Sequence, residues 1–358
     1  MGAAFGLAAC GTPAQQTGTE DFTTPAPAIV ASSPQAAEWR KVFPGGDTRC
    51  TDGTEFHFMV HEADPKELLF YLEGGGGCWN KASCDPNGSP TAKLNVADQK
   101  DPTEGIFDFS NPKNPFANYT VVYVPYCSGD VHIGDNYIVY PGRDETDPPL
   151  PVYHRGRANV QSAIDWVSAH HDELDDIFVT GVSAGAVPTP LYASILSDRY
   201  SDAKISSLGD GAGGYRRASP MNDRLGDWGV FNQINTVPGF ENLTPSTWSY
   251  EQIYVAAAKQ HPDINMARFD FAADPAQWRF LSGNSEFDTL LENLVANNND
   301  IRIGAPDFRA YIAPGAVHTI LQKNALYETT VNGVVLVDWI AALAQHAPEE
   351  DVKCNECD

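Results

Sequence analysis

Positive charge is scarce in this sequence: 23 Lys and Arg stand against 47 Asp and Glu, a formal net charge of −24 over 358 residues. A chain with that surplus repels polyanions, which excludes nucleic acid and anionic membrane surfaces as partners. No apolar run reaches the roughly 18 residues of a transmembrane helix. The N-terminus lacks the basic segment and the longer apolar stretch of a complete export signal. Even so, Leu7-Ala8-Ala9-Cys10-Gly11 reads as a bacterial lipoprotein cleavage site, with Cys10 as the lipid acceptor at the end of a truncated signal. Internal repeats are absent. A dinucleotide fingerprint is excluded at Gly74–Gly77, because Trp79 sits where the last glycine would be needed. Cys354-x-x-Cys357 has no second Cys/His pair beside it to complete four metal ligands, so a local disulfide is expected. No cofactor or metal is called for.

The seven cysteines lie early in the chain and at its very end, which points to an oxidising compartment. Residues 11–37, rich in Ala, Thr, Pro, Gln and Ser, cannot bury enough surface to order themselves and read as a tether. The expected organisation is a signal and tether at 1–37 and one catalytic domain at 38–358, its folded part starting near Trp39.

Within that domain Glu67–Leu72 is a buried strand that runs into Gly74-Gly75-Gly76-Gly77. Four glycines cost chain entropy, so they are read as a loop whose bare N–H groups face an anion; the alternative is a flexible hairpin turn. Tyr119–Tyr126 is a second buried strand. His154–His170 has helical spacing, with His154, His170 and His171 expected in solvent or as caps. Ile177–Thr180 leads into Gly181-Val182-Ser183-Ala184-Gly185, a G-x-S-x-G between a strand and a helix, as a nucleophile elbow requires. Lys204–Gly209 is a further strand. Residues 215–274 show no clear strand but many aromatics, and are read as a cap-like insertion over the catalytic face. A strand at Arg279–Ser282, a helix at Thr289–Asn297, a strand at Phe308–Ala313 and a final helix at Val334–Gln345 complete the order. Strands alternating with helices give an α/β class: a mostly parallel central sheet with helices on both faces.

A serine hydroxyl needs a base, usually His, oriented by a carboxylate. His318 follows the last expected strand, where the base belongs; His261 and His346 are weaker. For the acid, Asp288 follows the strand expected at Arg279–Ser282, Asp210 competes, and Glu286 ranks third.

These residues carry a resemblance. Leu72–Trp79 (LEGGGGCW), with Cys78 and Cys84 six apart, and Tyr126–Val131 (YCSGDV) resemble stretches of the pectin acetylesterase/Notum family. His154–Arg157, Gly181–Gly185, Phe287-Asp288 and His318 fall in the family's order, so the likeness covers most of residues 50–320. It implies an α/β-hydrolase fold and a carboxylic ester hydrolase with a triad of Ser183, Asp288 and His318. Oxyanion donors at Gly75, Gly76 and Ala184, and disulfides Cys78–Cys84 and Cys50–Cys127, follow from the same likeness. The chain departs from the family in Gly76-Gly77, where an aromatic is frequent, in Ala186 at the elbow, and in Pro188 and Pro190 early in the next helix. The expected function is removal of acyl groups, acetyl foremost, from a polysaccharide, with neutral acetylated glycans ranked above de-esterified pectin because of the chain's charge. The alternatives are an esterase of small lipid-like esters or polyesters, and a non-catalytic carbohydrate-binding lipoprotein. The expected location is outside the cell, free or tethered through Cys10.

Overall fold

The computed structural model describes residues 38–216, 224–281, 288–347 and 350–357. Cys10, the signal and tether at 1–37, and Glu286 lie outside the described residues.

Strands β1 (Arg40–Val42), β2 (Phe58–His61) and β3 (Asp64–Leu72) come first, followed by helix α1 (Lys81–Cys84) and strand β4 (Tyr119–Val124). A hairpin, β5 (Asn136–Tyr140) and β6 (Leu150–His154), precedes helix α2 (Gly156–His170). Next come β7 (Asp176–Val182), α3 (Thr189–Arg199), β8 (Lys204–Asp210), α4 (Tyr250–Gln260) and β9 (Asn265–Phe271). Helices α5 (Pro275–Leu281) and α6 (Leu290–Gly304) lead to β10 (Arg309–Ala313). A short hairpin, β11 (Thr330–Val331) and β12 (Val334–Val335), then α7 (Leu336–Ala344) and β13 (Val352–Lys353), follow.

Among the described residues nine strands form one sheet in the order β1-β2-β4-β3-β7-β8-β9-β10-β13. From β4 to β13 every pairing is parallel, and only β1 and β2 at one edge run antiparallel. Parallel neighbours need long crossovers, and the helices fill them. On one face Leu68, Phe70 and Leu72 of β3 pack with Val160 of α2, Leu191 of α3 and Ile253 of α4. On the other, Leu69 and Tyr71 pack with Leu294 of α6 and Ile340 of α7. Burial on both faces is why β3 reads as an unbroken apolar run rather than an alternating one.

The segment expected as one insertion at 215–274 is divided. Its last part is β9, a central strand, and α4 crosses from one side of the sheet to reach it. Arg268 and Asp270, both buried, interrupt the apolar pattern of β9 and hide it from a hydrophobicity reading. Of the strand expected at Arg279–Ser282, Arg279–Leu281 is instead the end of α5, which starts at a proline, as first helical turns tolerate; Ser282 lies outside the described residues. His154 is not in solvent: it is wholly buried at the end of β6, with Nδ1 3.0 Å from the Ser128 carbonyl and Nε2 3.1 Å from the Tyr140 hydroxyl. The remaining insertion, from 224 to 249, sinks Trp228, Phe240 and Trp248 into the core, and the Trp228 indole N–H donates to the Cys78 carbonyl at 2.7 Å.

Among the described residues three disulfides close: Cys50–Cys127, Cys78–Cys84 and Cys354–Cys357. The first joins the loop before β2 to the loop after β4, and the second staples the end of the glycine stretch to α1.

Candidate active site

Ser183 stands at the C-terminal end of β7, between that strand and a single 3₁₀ turn, Ser183–Gly185, which leads to α3. Its φ of 54° is in the left-handed region, which a non-glycine residue enters only under constraint. The constraint is the tight turn from strand to helix. An ideal Cβ on Gly74 would fall 2.5 Å from the Val182 carbonyl oxygen and 2.9 Å from the Ser183 Cβ, so glycine there lets the two loops touch. Pro188 and Pro190 fit because they occupy the entry of α3, where no helical N–H partner is required.

The glycine loop is held from several sides. Glu73 accepts from Lys93 Nζ at 2.7 Å and from the Tyr126 N–H at 2.8 Å. The Glu73 carbonyl lies 2.8 Å from His132 Nε2, and burial lowers that imidazole's pKa to about 4, so it stays neutral. The Tyr126 hydroxyl accepts from the Val131 N–H and donates to the Gly76 carbonyl. Asp130, wholly buried and pushed up to about 7 by that burial, accepts from Ser128 Oγ and from the N–H groups of His132 and Gly156. Thus Tyr126–Val131 braces the glycine loop, and Val131 and His132 carry positive φ values of 51° and 63° in doing so. Among the described residues the N–H groups of Gly75 and Gly76 donate to no protein acceptor. Gly76, Ala184 and Ser183 face one cleft, whose other walls are Gly77, Val131, Val187, Tyr215, Tyr250 and Phe280.

His318 lies in the loop after β10, and its Nδ1 is 2.7 Å from Oδ2 of Asp274. Asp274 follows β9 and is fully buried. Its Oδ1 caps α5 by accepting from the N–H groups of Ala276 and Gln277, and its Oδ2 also accepts from Gln277 Nε2 at 3.1 Å. The structure therefore brings Asp274 to the imidazole, where the sequence pointed to Asp288. Asp288 is exposed beside the start of α6 and makes no hydrogen bond to His318. The difference follows from the strand assignment: the carboxylate at the imidazole does follow the strand next to β10, but that strand is β9. Asp210 is near without being the partner. Its Oδ2 accepts from the N–H groups of Ile320 and Leu321, fixing the segment just past His318, and burial pushes its pKa up to about 6. His261 is elsewhere, 2.9 Å from Asp198 in a groove shared with His346. Among the described residues Ser183 Oγ makes no hydrogen bond, to His318 or otherwise; such contacts are often loose before a substrate binds. Asp274 carried one signal in the sequence: an acidic residue directly before Pro275 at a helix start.

A mostly parallel sheet covered by helices on both faces, with a strained serine turn ending a central strand, defines an α/β-hydrolase fold. The chain belongs to the pectinacetylesterase family, whose model matches residues 44–251, more than half of its length. It is 28% identical over 155 residues to the palmitoleoyl-protein carboxylesterase notum1a of Danio rerio, covering 42% of this chain and 29% of that protein. It is 26% identical over 171 residues to pectin acetylesterase 5 of Arabidopsis thaliana, covering 45% of this chain and 38% of that protein. The matched stretches thus span about a third of these relatives. Among solved structures, the Wnt deacylase Notum from Drosophila superposes with a TM-score of 0.60 at 14% identity, covering 89% of this chain and 97% of the other. At that identity the likeness speaks for the fold.

Proposed function

We propose that this chain is a carboxylic ester hydrolase that removes short acyl groups, acetyl first among them, from an acylated polysaccharide, with Ser183, His318 and Asp274 as its triad. The observation that carries the reading is the strained Ser183 turn, which opens onto the same cleft as Gly76 and Ala184 in a chain of this family. Asp274 accepts the Nδ1–H of His318, which leaves Nε2 free to take the serine proton as Oγ attacks the ester carbonyl. The oxyanion is met by the N–H groups of Gly75, Gly76 and Ala184, each such donor being worth roughly 3–4 kcal/mol in the transition state. The alcohol leaves with the proton from His318, and water activated by the same imidazole releases the acid. In Ser183→Ala, kcat on p-nitrophenyl acetate should fall by roughly 10⁴-fold or more with the fold intact by circular dichroism. Unchanged turnover in that variant would end the proposal.

A second reading, an esterase of lipid-like esters, is favoured by the apolar walls of the cleft at Val131, Val187, Tyr215, Tyr250 and Phe280. Acetate release from acetylated xylan, pectin and chitin-type polymers, set against p-nitrophenyl esters of rising chain length, separates the two. Three disulfides favour an oxidising compartment for either.

A further inference from the structure

We infer that Tyr250 sets the length of the acyl group this cleft accepts, by walling the space beside Ser183 off from an inner cavity; the inference rests on the esterase reading above. The inner space, a small cleft, is lined by Ala186, Val187, Ala212, Tyr250, Tyr254 and Arg268. All six are buried. Two of them, Val187 and Tyr250, also line the cleft that contains Ser183. The two spaces are therefore neighbours with a shared partition, and most of that partition's volume is one phenol ring.

The ring is fixed. Tyr250 is 3% exposed and opens α4, and it packs on Tyr215 and Trp248 at centroid distances of 5.4 Å and 6.0 Å. An acyl group on Ser183 meets Ala184, Val187 and then this ring, which leaves room for a short chain and stops a longer one. Beyond the ring the cavity offers the methyl groups of Ala186 and Ala212 and the Tyr254 ring, with the Arg268 guanidinium carbon 4.3 Å from the centroid of that ring. Removing the phenol frees the volume of the ring itself and joins it to the inner space, which gives further methylenes room. Enzymes discriminate by roughly 10-fold or more for each methylene a pocket gains or loses.

The test is the ratio of kcat/KM for p-nitrophenyl hexanoate to that for the acetate, in wild type, Tyr250→Ala and Tyr250→Phe. The wild type and Tyr250→Phe, which keeps the ring, should share a ratio favouring acetate, and Tyr250→Ala should raise it roughly 10-fold or more. A folded Tyr250→Ala protein with the wild-type ratio overturns the assignment. If that variant does not fold, as judged by thermal unfolding, Val187→Ala at the same partition takes its place: a raised ratio supports the assignment and an unchanged one overturns it. A wild type inactive on every ester refutes the esterase reading instead. The partition is then judged by hexanoate binding, followed through tryptophan fluorescence: affinity roughly 10-fold higher in Tyr250→Ala supports it, and no gain overturns it.

Discussion

The Asp274 carboxylate is removed from water and yet fully engaged: Ala276, Gln277 and His318 all direct N–H groups at it. A buried charge with that many donors is stable where an unpartnered one would not be, and the geometry fixes which imidazole nitrogen carries the proton. Asp274→Asn removes the charge and can hold the wrong tautomer, so kcat on p-nitrophenyl acetate should drop on the order of 10⁴-fold. Asp288→Asn, at an exposed site, should stay within about twofold of wild type; the reverse outcome would restore Asp288 as the acid. Ser183 was legible because a serine between two glycines, after an apolar strand, is an uncommon pattern with a geometric reason. His318 was legible from its place after the last long strand. Asp274 was not, because recognising it requires knowing that β9 is a strand, and Arg268 and Asp270 remove the regular pattern that would have said so.

At the scale of elements, the glycine loop and the serine turn behave as one piece. Gly76 has a φ of 75°, and a Cβ there would lie 2.1 Å from the Thr91 carbonyl oxygen; one on Gly74 would lie 2.5 Å from the Val182 carbonyl oxygen and 2.9 Å from the Ser183 Cβ. Gly74→Ala should therefore push the loop from the serine. A shift of about 1 Å at a reacting centre costs on the order of 10²-fold in rate, so kcat should fall by that much with little change in the far-ultraviolet spectrum. Wild-type kcat in Gly74→Ala would show that the two loops are not coupled. The long parallel strands were readable because burial on both faces makes continuous apolar runs. The division of 215–274 was not, since the aromatics of a core-packed loop and those of a strand look alike in composition: Trp228 and Phe269 are both wholly buried, one in each.

Over the whole molecule, two sets of buried groups pull stability in opposite directions with pH. Burial raises Asp130 and Asp270 to about 7 and Asp176 and Asp210 to about 6, so the native state keeps protons that the unfolded chain gives up from about pH 4 upward. Stability from these carboxyls is complete at low pH and lost as pH rises through those values. Burial lowers His57, His132 and His154 to about 4, so their contribution is present above about 6.5 and lost as pH falls. Between about pH 4 and 6.5 the two sets offset each other; above that only Asp130 and Asp270 are still titrating. The melting temperature should be nearly flat up to about pH 6.5 and then decline towards pH 8. Added salt should recover the share of the decline due to repulsion among the −24 net charges; a melting temperature still climbing from about pH 6.5 to 8 would contradict the account. The longest-range consequence lies in α5. The Asp274 carboxylate, which in the proposed mechanism orients the base, is also the peg on which this seven-residue helix hangs, and the same helix carries Phe280 into the cleft at Ser183. Under that proposal proton relay and substrate fit are geared together, and refitting this wall for a new substrate would put the alignment of Asp274 and His318 out of true.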